Sequence, residues 1–447
     1  MMSKRRWQRW IAGLGILSAV VLLGPEGAAA QEDVNDLKAE LQAQKQRQAE
    51  LEEKIDQLEA RQKLQEQAAN EKAEEAAATT PEDENKPEAI PESLKWASRL
   101  QWYGDLRYRY EYIDDDAAAE DRHRNRIRAR LGVDVKVSDE WNLGFRLATG
   151  TTESNGISGD PVSTNQTLDE AFSKKPIWLD LAFFGYHPVW LRGLDVFGGK
   201  INMPFYKVGR NELIWDSDLT PEGGAIAYAR PLTERTTANL AAGGFWVNEE
   251  SSGQDVSLWG LQGFLKHQFN EPTYLVGGAS WYDYGNIQGS ESLAREWKGT
   301  DDFFGNTAAG DVFASDYDLF ELFAEFGTSV AKVPVAVFGD WVQNTVAVDD
   351  SEDTGWLIGG QINQAKDPGS WQFEYDYRDL QLDAVVGQFS ASDFVGGGTG
   401  GKGHRFAFTY MVAKNVAAAL TYYADEYHGR KGDAEYDRIE ADLGIKF

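Results

Sequence analysis

The sequence predicts an all-β fold: a transmembrane antiparallel β-barrel of about 16 strands, preceded by an α-helical coiled-coil segment. Three observations predict it. From Leu100 to Phe447 the chain alternates apolar and polar residues with a period of two. These runs are close to the ~9–11 residues that cross a bilayer at a tilt. The polar face of the first runs carries arginines, and the connections between runs alternate between short and long.

Composition narrows the class without deciding it. The 447 residues include no cysteine, 15 Trp, 18 Tyr, 22 Phe and 45 Gly, with a formal charge of -28. Mean hydropathy is -0.49, and beyond residue 30 no apolar run is long enough for a spanning helix. The acidity argues against nucleic acid as a partner, because phosphate neutralisation needs basic surface. Many aromatics and glycines at low hydropathy suit a barrel with a polar lumen, and equally a soluble all-β protein.

Residues 1–30 read as a signal peptide. Lys4, Arg5, Arg6 and Arg9 precede an apolar core from Ile11 to Leu23, and Ala28, Ala29 and Ala30 supply small residues before Gln31. Residues 31–78 read as a coiled coil. Val34, Leu41, Gln48, Ile55 and Gln62 fall seven apart, with Leu37, Gln44, Leu51, Leu58 and Gln65 in the second seam position. Residues 79–97, rich in Pro and Glu, read as a linker, and 98–447 as the barrel.

In the first strand Leu100, Trp102, Leu106, Tyr108, Tyr110 and Tyr112 share one face, opposite Gln101, Asp105, Arg107, Arg109 and Glu111. The second sets Ile127, Ala129, Leu131 and Val133 against Arg126, Arg128 and Arg130. The third follows the turn 138–140, with Arg146 on its polar face. A lipid-facing arginine at mid-bilayer costs about 2–4 kcal/mol, so the apolar set faces lipid and the charged set a wet interior. Further strands are expected near 177–186, 194–203, 223–230, 236–248, 255–269, 273–284, 315–327, 333–348, 354–364, 370–380, 402–412, 417–426 and 436–447. The connections at 152–175, 204–222, 285–314 and 381–401 are long and read as polar outer loops. Both termini then lie on the short-turn side, which is periplasmic.

Two site hypotheses follow. Arg107, Arg109, Arg126, Arg128, Arg130 and Arg146 form a pore-lining basic wall that attracts anions, unless Asp105, Glu111 and Asp134 neutralise it. Loop 204–222 is the candidate constriction, with Glu212, Asp216, Asp218 and Glu222 facing that wall. Glu374 and Asp376 should also point inward, and Glu440 and Asp442 should lie beside the first strand. The acidic runs Asp114–Asp116 and Asp349–Asp353 are solvated outer loops, or hold divalent cations shared with lipopolysaccharide. Gly396–Lys402 lacks the spacing of a phosphate loop and reads as flexible loop. No catalytic residue, cofactor or metal is expected: the five histidines are scattered, with no HExxH and no GxSxG.

With the helical prefix, the arginines at 126–130 and the final strand Ile439–Phe447 laid out, the chain resembles a bacterial trimeric porin. It is most similar to the outer-membrane Putative porin families that carry an N-terminal periplasmic coiled coil. The resemblance implies passive diffusion of small hydrophilic solutes or ions, a homotrimer in outer-membrane lipid and lipopolysaccharide, and recognition of the C-terminal Phe447 during membrane assembly. The alternative is an envelope-tethering protein whose coiled coil binds the cell wall or another partner, with the barrel as anchor. A barrel sheath around a redox partner is a third reading; the chain has no CxxCH of its own.

Overall fold

The computed structural model describes residues 92–151, 158–251 and 253–447. The signal, the coiled coil and the linker up to residue 91 lie outside them. Among the described residues, sixteen antiparallel strands of seven residues or more form one closed sheet. They are β1 (Leu100–Asp115), β2 (Arg122–Lys136), β3 (Trp141–Thr149), β4 (Ile177–Tyr186), β5 (Leu194–Lys200), β6 (Glu222–Pro231), β7 (Thr236–Asn248) and β8 (Val256–Asn270). The second half comprises β9 (Thr273–Gly285), β10 (Tyr317–Val330), β11 (Val333–Asn344), β12 (Thr354–Ile362), β13 (Trp371–Leu380), β14 (Gly401–Ala413), β15 (Val416–Tyr427) and β16 (Glu435–Lys446). Each pairs with its neighbour in sequence, and β16 pairs with β1 to close the ring. A two-residue strand, Gln166–Thr167, adds to the loop end of β2, and a 3-10 helix, Glu92–Arg99, leads into β1.

The alternation sorts as the bilayer demands. Trp102, Leu106 and Tyr108 of β1 and Leu131 of β2 are exposed on the outer face, whereas Arg109 and Arg126 are buried inside. Aromatic pairs mark both rims: Trp141 with Tyr186 at the turn end (4.6 Å between centroids), and Trp356 with Tyr377 at the loop end (5.3 Å). Amphipathic rings are favoured at that depth. The turns at 137–140, 232–235, 271–272, 331–332 and 414–415 are short, and the connections at 150–176, 201–221, 286–316 and 381–400 are long.

These long loops differ from the polar outer loops the sequence suggests. β5 stops at Lys200, so the third loop spans 201–221, and Glu222 already belongs to β6. Phe205, Val208, Leu213 and Trp215 of this loop are buried, as are Val385, Val386 and Phe394 of loop 381–400. They pack on the inward faces of strands β6–β12, which carry apolar residues where β1 and β2 carry charge. Tyr282 of β9 meets Phe205 (4.9 Å) and Trp215 (5.1 Å). Burying each such side chain stabilises the inward-folded loop by about 1.5–3 kcal/mol over leaving it in water. Close approach needs a bare backbone: a Cβ on Gly260 would sit 2.3 Å from the Phe205 ring. Gly209, at φ +55°, lies equally tight under Phe338.

At the closing seam Phe447 exchanges two backbone hydrogen bonds with Gly104 (3.0 and 3.2 Å). Its ring lies where a Gly104 side chain would be, 2.5 Å from the ideal Cβ position, with the Arg130 carbonyl at the same distance. Gly104→Val should therefore strain the β16–β1–β2 seam by about 1–3 kcal/mol through overpacking. A lowered urea midpoint of the refolded barrel, relative to Gly277→Val, where a Cβ meets open space, is the expected result.

Candidate functional site

The register of β2, β1 and β16 sets the charged side chains of the inner wall in rows. Arg109 lies opposite Arg126 on one side and Asp442 on the other; Glu111 lies opposite Arg124 and Glu440; Asp105 lies opposite Arg130. With a period of two, these side chains all point inward, and where they are buried, as Arg109, Glu111 and Arg126 are, each charge requires a counter-charge. Arg109 grips Asp442 with two hydrogen bonds (2.7 and 2.8 Å) and reaches Glu440 at 2.7 Å. Glu111, fully buried, accepts from Arg124, from Arg126 (3.3 Å) and from Arg438 (3.0 Å). Below them Asp105 bridges Arg128 (2.9 Å) and Arg130 (2.7 Å). Arg146 pairs with Asp180 of β4, and Arg107 donates to Asn165 (2.5 Å).

All six arginines of the expected wall thus line the lumen, but as one side of an ion-pair lattice. Of the expected neutralisers, Asp105 and Glu111 take part. Glu440 and Asp442 lie beside β1 as the alternation suggests. Glu374 and Asp376 point inward on β13, where Arg405 reaches both at 3.0 Å and Arg378 reaches Asp376 at 2.8 Å.

Loop 201–221 crosses from one wall to the other. On one side Gln262 of β8 accepts from the Tyr206 N–H (2.7 Å), Glu325 of β10 from the Gly209 N–H (2.8 Å), and Asp340 of β11 from Asn211 (2.8 Å). On the other side Asp218 lies 3.4 Å from Arg130 and 3.9 Å from Arg128, and accepts from the Thr164 N–H (3.0 Å) and hydroxyl (2.8 Å). Burial opposes its charge, yet Arg128, Thr164 and Arg130 hold its carboxyl below the usual carboxylate range. Among the described residues, Asp218 is the one of the four expected loop carboxylates that meets the arginines. Glu212 accepts the Ser217 N–H (2.9 Å), and Glu222 pairs with Lys200 (2.9 Å). Asp216 turns back to accept the Ser392 N–H (2.9 Å) and the Asp218 N–H (2.8 Å). Burial, with Glu212 and Asp218 nearby, pushes its carboxyl well above the ordinary range. The loop's irregular path, broken by a 3-10 turn at Val208–Arg210, points these carboxylates in different directions, which sequence spacing could not show.

Toward the loop end lie two cavities. One, of about 490 Å³, is lined by Arg122, Arg124, Arg126, Lys174, Lys175 and Asp393. The other, of about 480 Å³, is lined by Asp160, Asp180, Lys200, Asp218 and Glu222. Asp160, Ser163, Trp297 and Gln388 border both, so a basic and an acidic chamber meet at one partition.

The residue that sequence reasoning missed is Asp393, in loop 381–400, which sits on Arg109 (3.1 Å) and Arg438 (2.7 Å). Burial opposes its charge, but Arg438 and Arg109 hold its carboxyl well below the usual range. The available signal was an excess of inward arginines over strand carboxylates. Of the histidines, His404 packs among Tyr375, Tyr377 and Phe406 on the outer face of β13–β14, and His187 contacts Asp195 (2.5 Å) and Asn142 (2.8 Å). Among the described residues no group of three or more His, Cys, Asp or Glu side chains is arranged to hold a metal ion. Gly396–Gly398 and Gly400 all adopt positive φ in the turn that leads into β14, with Gly396 exposed and Gly397, Gly398 and Gly400 buried.

A family model described as Putative porin matches residues 112–316 and 317–447. No curated protein matches the sequence. Among solved structures, OprB of Pseudomonas putida, in a high-pH structure, is similar at a TM-score of 0.53 and 10% identity, covering 78% of this chain and 95% of that one. OmpF of Salmonella typhi, in complex with daunomycin, gives a TM-score of 0.47 and 13% identity over 78% and 97%. A triple mutant of Rhodopseudomonas blastica porin gives 0.43 and 11% over 78% and 100%. The first of these likenesses is one of fold.

Asp160 gives the partition a pH dependence. Burial pushes its carboxyl up to about 7, against the pull of the Val162 N–H. The folded state then holds a proton that the unfolded chain has released, so stability falls as pH rises from about 4 to about 7. Asp160→Asn should flatten the urea midpoint across that window relative to the parent chain.

Proposed function

The chain belongs to the Putative porin family, and from that premise we propose that it is an outer-membrane channel through which small hydrophilic solutes or ions diffuse passively along a charged, water-filled lumen. Family and fold point to a channel rather than an enzyme, and the porin-like barrel supports the outer membrane as its location. The observation that carries the reading is the inner wall of β16, β1 and β2. In a closed barrel, a surface of arginines and carboxylates has no reason to face inward unless water and solutes reach it.

The proposed passage runs past the contact at which Asp218 of loop 201–221 meets Arg128 and Arg130 of that wall. These side chains keep 13–18% exposure, against 0–6% for Arg109, Glu111 and Arg438 above them. The field at that contact, basic on the wall and acidic on the loop, would orient dipolar solutes. In this reading the short turns and residues 31–97 lie in the periplasm. The coiled coil at 31–78 holds three copies together, and Phe447 marks the strand recognised during assembly. The signal at 1–30 directs export.

Single-channel recording of the purified, folded chain in a planar bilayer under a salt gradient tests this. Stable conductance steps, in threes for a trimer, are the expected result; a folded barrel that never conducts overturns it. Replacing Arg128 and Arg130 by Gln leaves Asp105 and Asp218 unopposed, so the reversal potential should move toward cations. An unchanged reversal potential would remove the basic wall from the account of selectivity.

A further inference from the structure

Asp393 occupies an odd position for a loop residue. Its carboxylate bridges Arg438 Nη2 (2.7 Å) and Arg109 Nη1 (3.1 Å), two guanidinium groups with 2% and 6% exposure, while Asp393 itself is about one-fifth exposed. Its open side borders the basic chamber, where Arg122, Arg124, Arg126, Lys174 and Lys175 gather.

Charge matching gives the contact its meaning. Among the described residues, the guanidinium groups of Arg109, Arg124, Arg126 and Arg438 are in direct contact with the carboxylates of Glu111, Glu440, Asp442 and Asp393. Arg107, 3.9 Å from Asp442, adds a fifth cation at the wetter lower edge. Three of the four carboxylates are fixed on strands. Asp393 rides on a loop, and without it buried positive charge is left uncompensated, an arrangement that costs several kcal/mol. The donors are already in excess: the buried Nε atoms of Arg126 and Arg438 find no acceptor among the described residues.

We infer that Arg109 and Arg438 form a binding seat for the carboxylate of a small monoanionic solute, and that Asp393 is the chain's own stand-in for that solute. The inference deepens the channel reading and rests on it. A solute carboxylate descending through the basic chamber exchanges with Asp393 at constant charge, which spares the desolvated arginines at every stage. Two planar guanidinium groups favour a planar two-oxygen anion over a spherical one.

Acetate, the chemical equivalent of the missing side chain, is the probe, titrated calorimetrically into the full chain in detergent micelles free of chloride. Asp393→Ala should bind acetate at least about tenfold more tightly than the parent chain. Asp393→Ala combined with Arg438→Gln, which restores the charge match, should lose that gain. A folded D393A that binds acetate no better than the parent overturns the inference. Should the alanine variant fail to fold, the isosteric D393N must show tighter acetate binding, and no gain there overturns it equally. Micelle binding needs no conductance, so the two readings separate. A chain that binds acetate in the variant but never conducts keeps the seat and defeats the channel, whereas a conducting chain whose folded variants gain no acetate binding defeats the seat.

Discussion

The rest of the structure depends on the hydrogen-bonded closure of β16 on β1. In hydrocarbon every unpaired backbone group costs several kcal/mol, and an open sheet would leave two edges of them. Eleven paired positions, from Asp105 with Lys446 to Asp115 with Tyr436, remove both edges. Once the ring is closed, the inner and outer faces are distinct solvents. The strict alternation along each strand, the inward arginines and the outward Trp, Leu and Tyr residues then follow from that one constraint.

Closure also creates an interior that has to be filled, and this chain fills it unevenly. From β6 to β12 the inner face is largely apolar and takes the aromatic side chains of loop 201–221. From β13 through β16 to β2 it is charged. Loops 201–221, 286–316 and 381–400 are tied to one another as well as to the wall. Asp383 accepts from Ser315 (2.8 Å), Tyr317 (2.9 Å) and the Thr307 N–H (2.9 Å), and the Asp216 N–H donates to the Phe389 carbonyl (2.7 Å). The loops thereby fill the apolar sector of the interior and leave the charged sector as the face they cover least.

The strands were legible because lipid punishes a misplaced charge so heavily that alternation survives in every segment; all sixteen fall where the period of two puts them. Element ends were less legible. Ile201, Asn202 and Met203 continue the pattern of β5 yet leave the sheet, because the chain turns there into the lumen. The loops were misread as polar since their Phe, Trp and Val residues answer to a surface far away in sequence, the inner face of β6–β12. The site divided in the same way. Arg109, Arg126 and Arg130 could be placed from strand parity, whereas Glu212, Asp216 and Asp393 depend on loop paths that no periodicity encodes.

The seam has a consequence for biogenesis. Glu111 and Arg109 come from the first strand, Arg126 from the second, and Arg438, Glu440 and Asp442 from the last, so the charged lattice has no complete form until the two ends of the barrel meet. Before closure Arg109 of β1 lacks Glu440 and Asp442, and Arg438 of β16 lacks Glu111, so opposite charges face each other across the two edges that must join. Sealing the wall and completing its ion-pair lattice are then a single event.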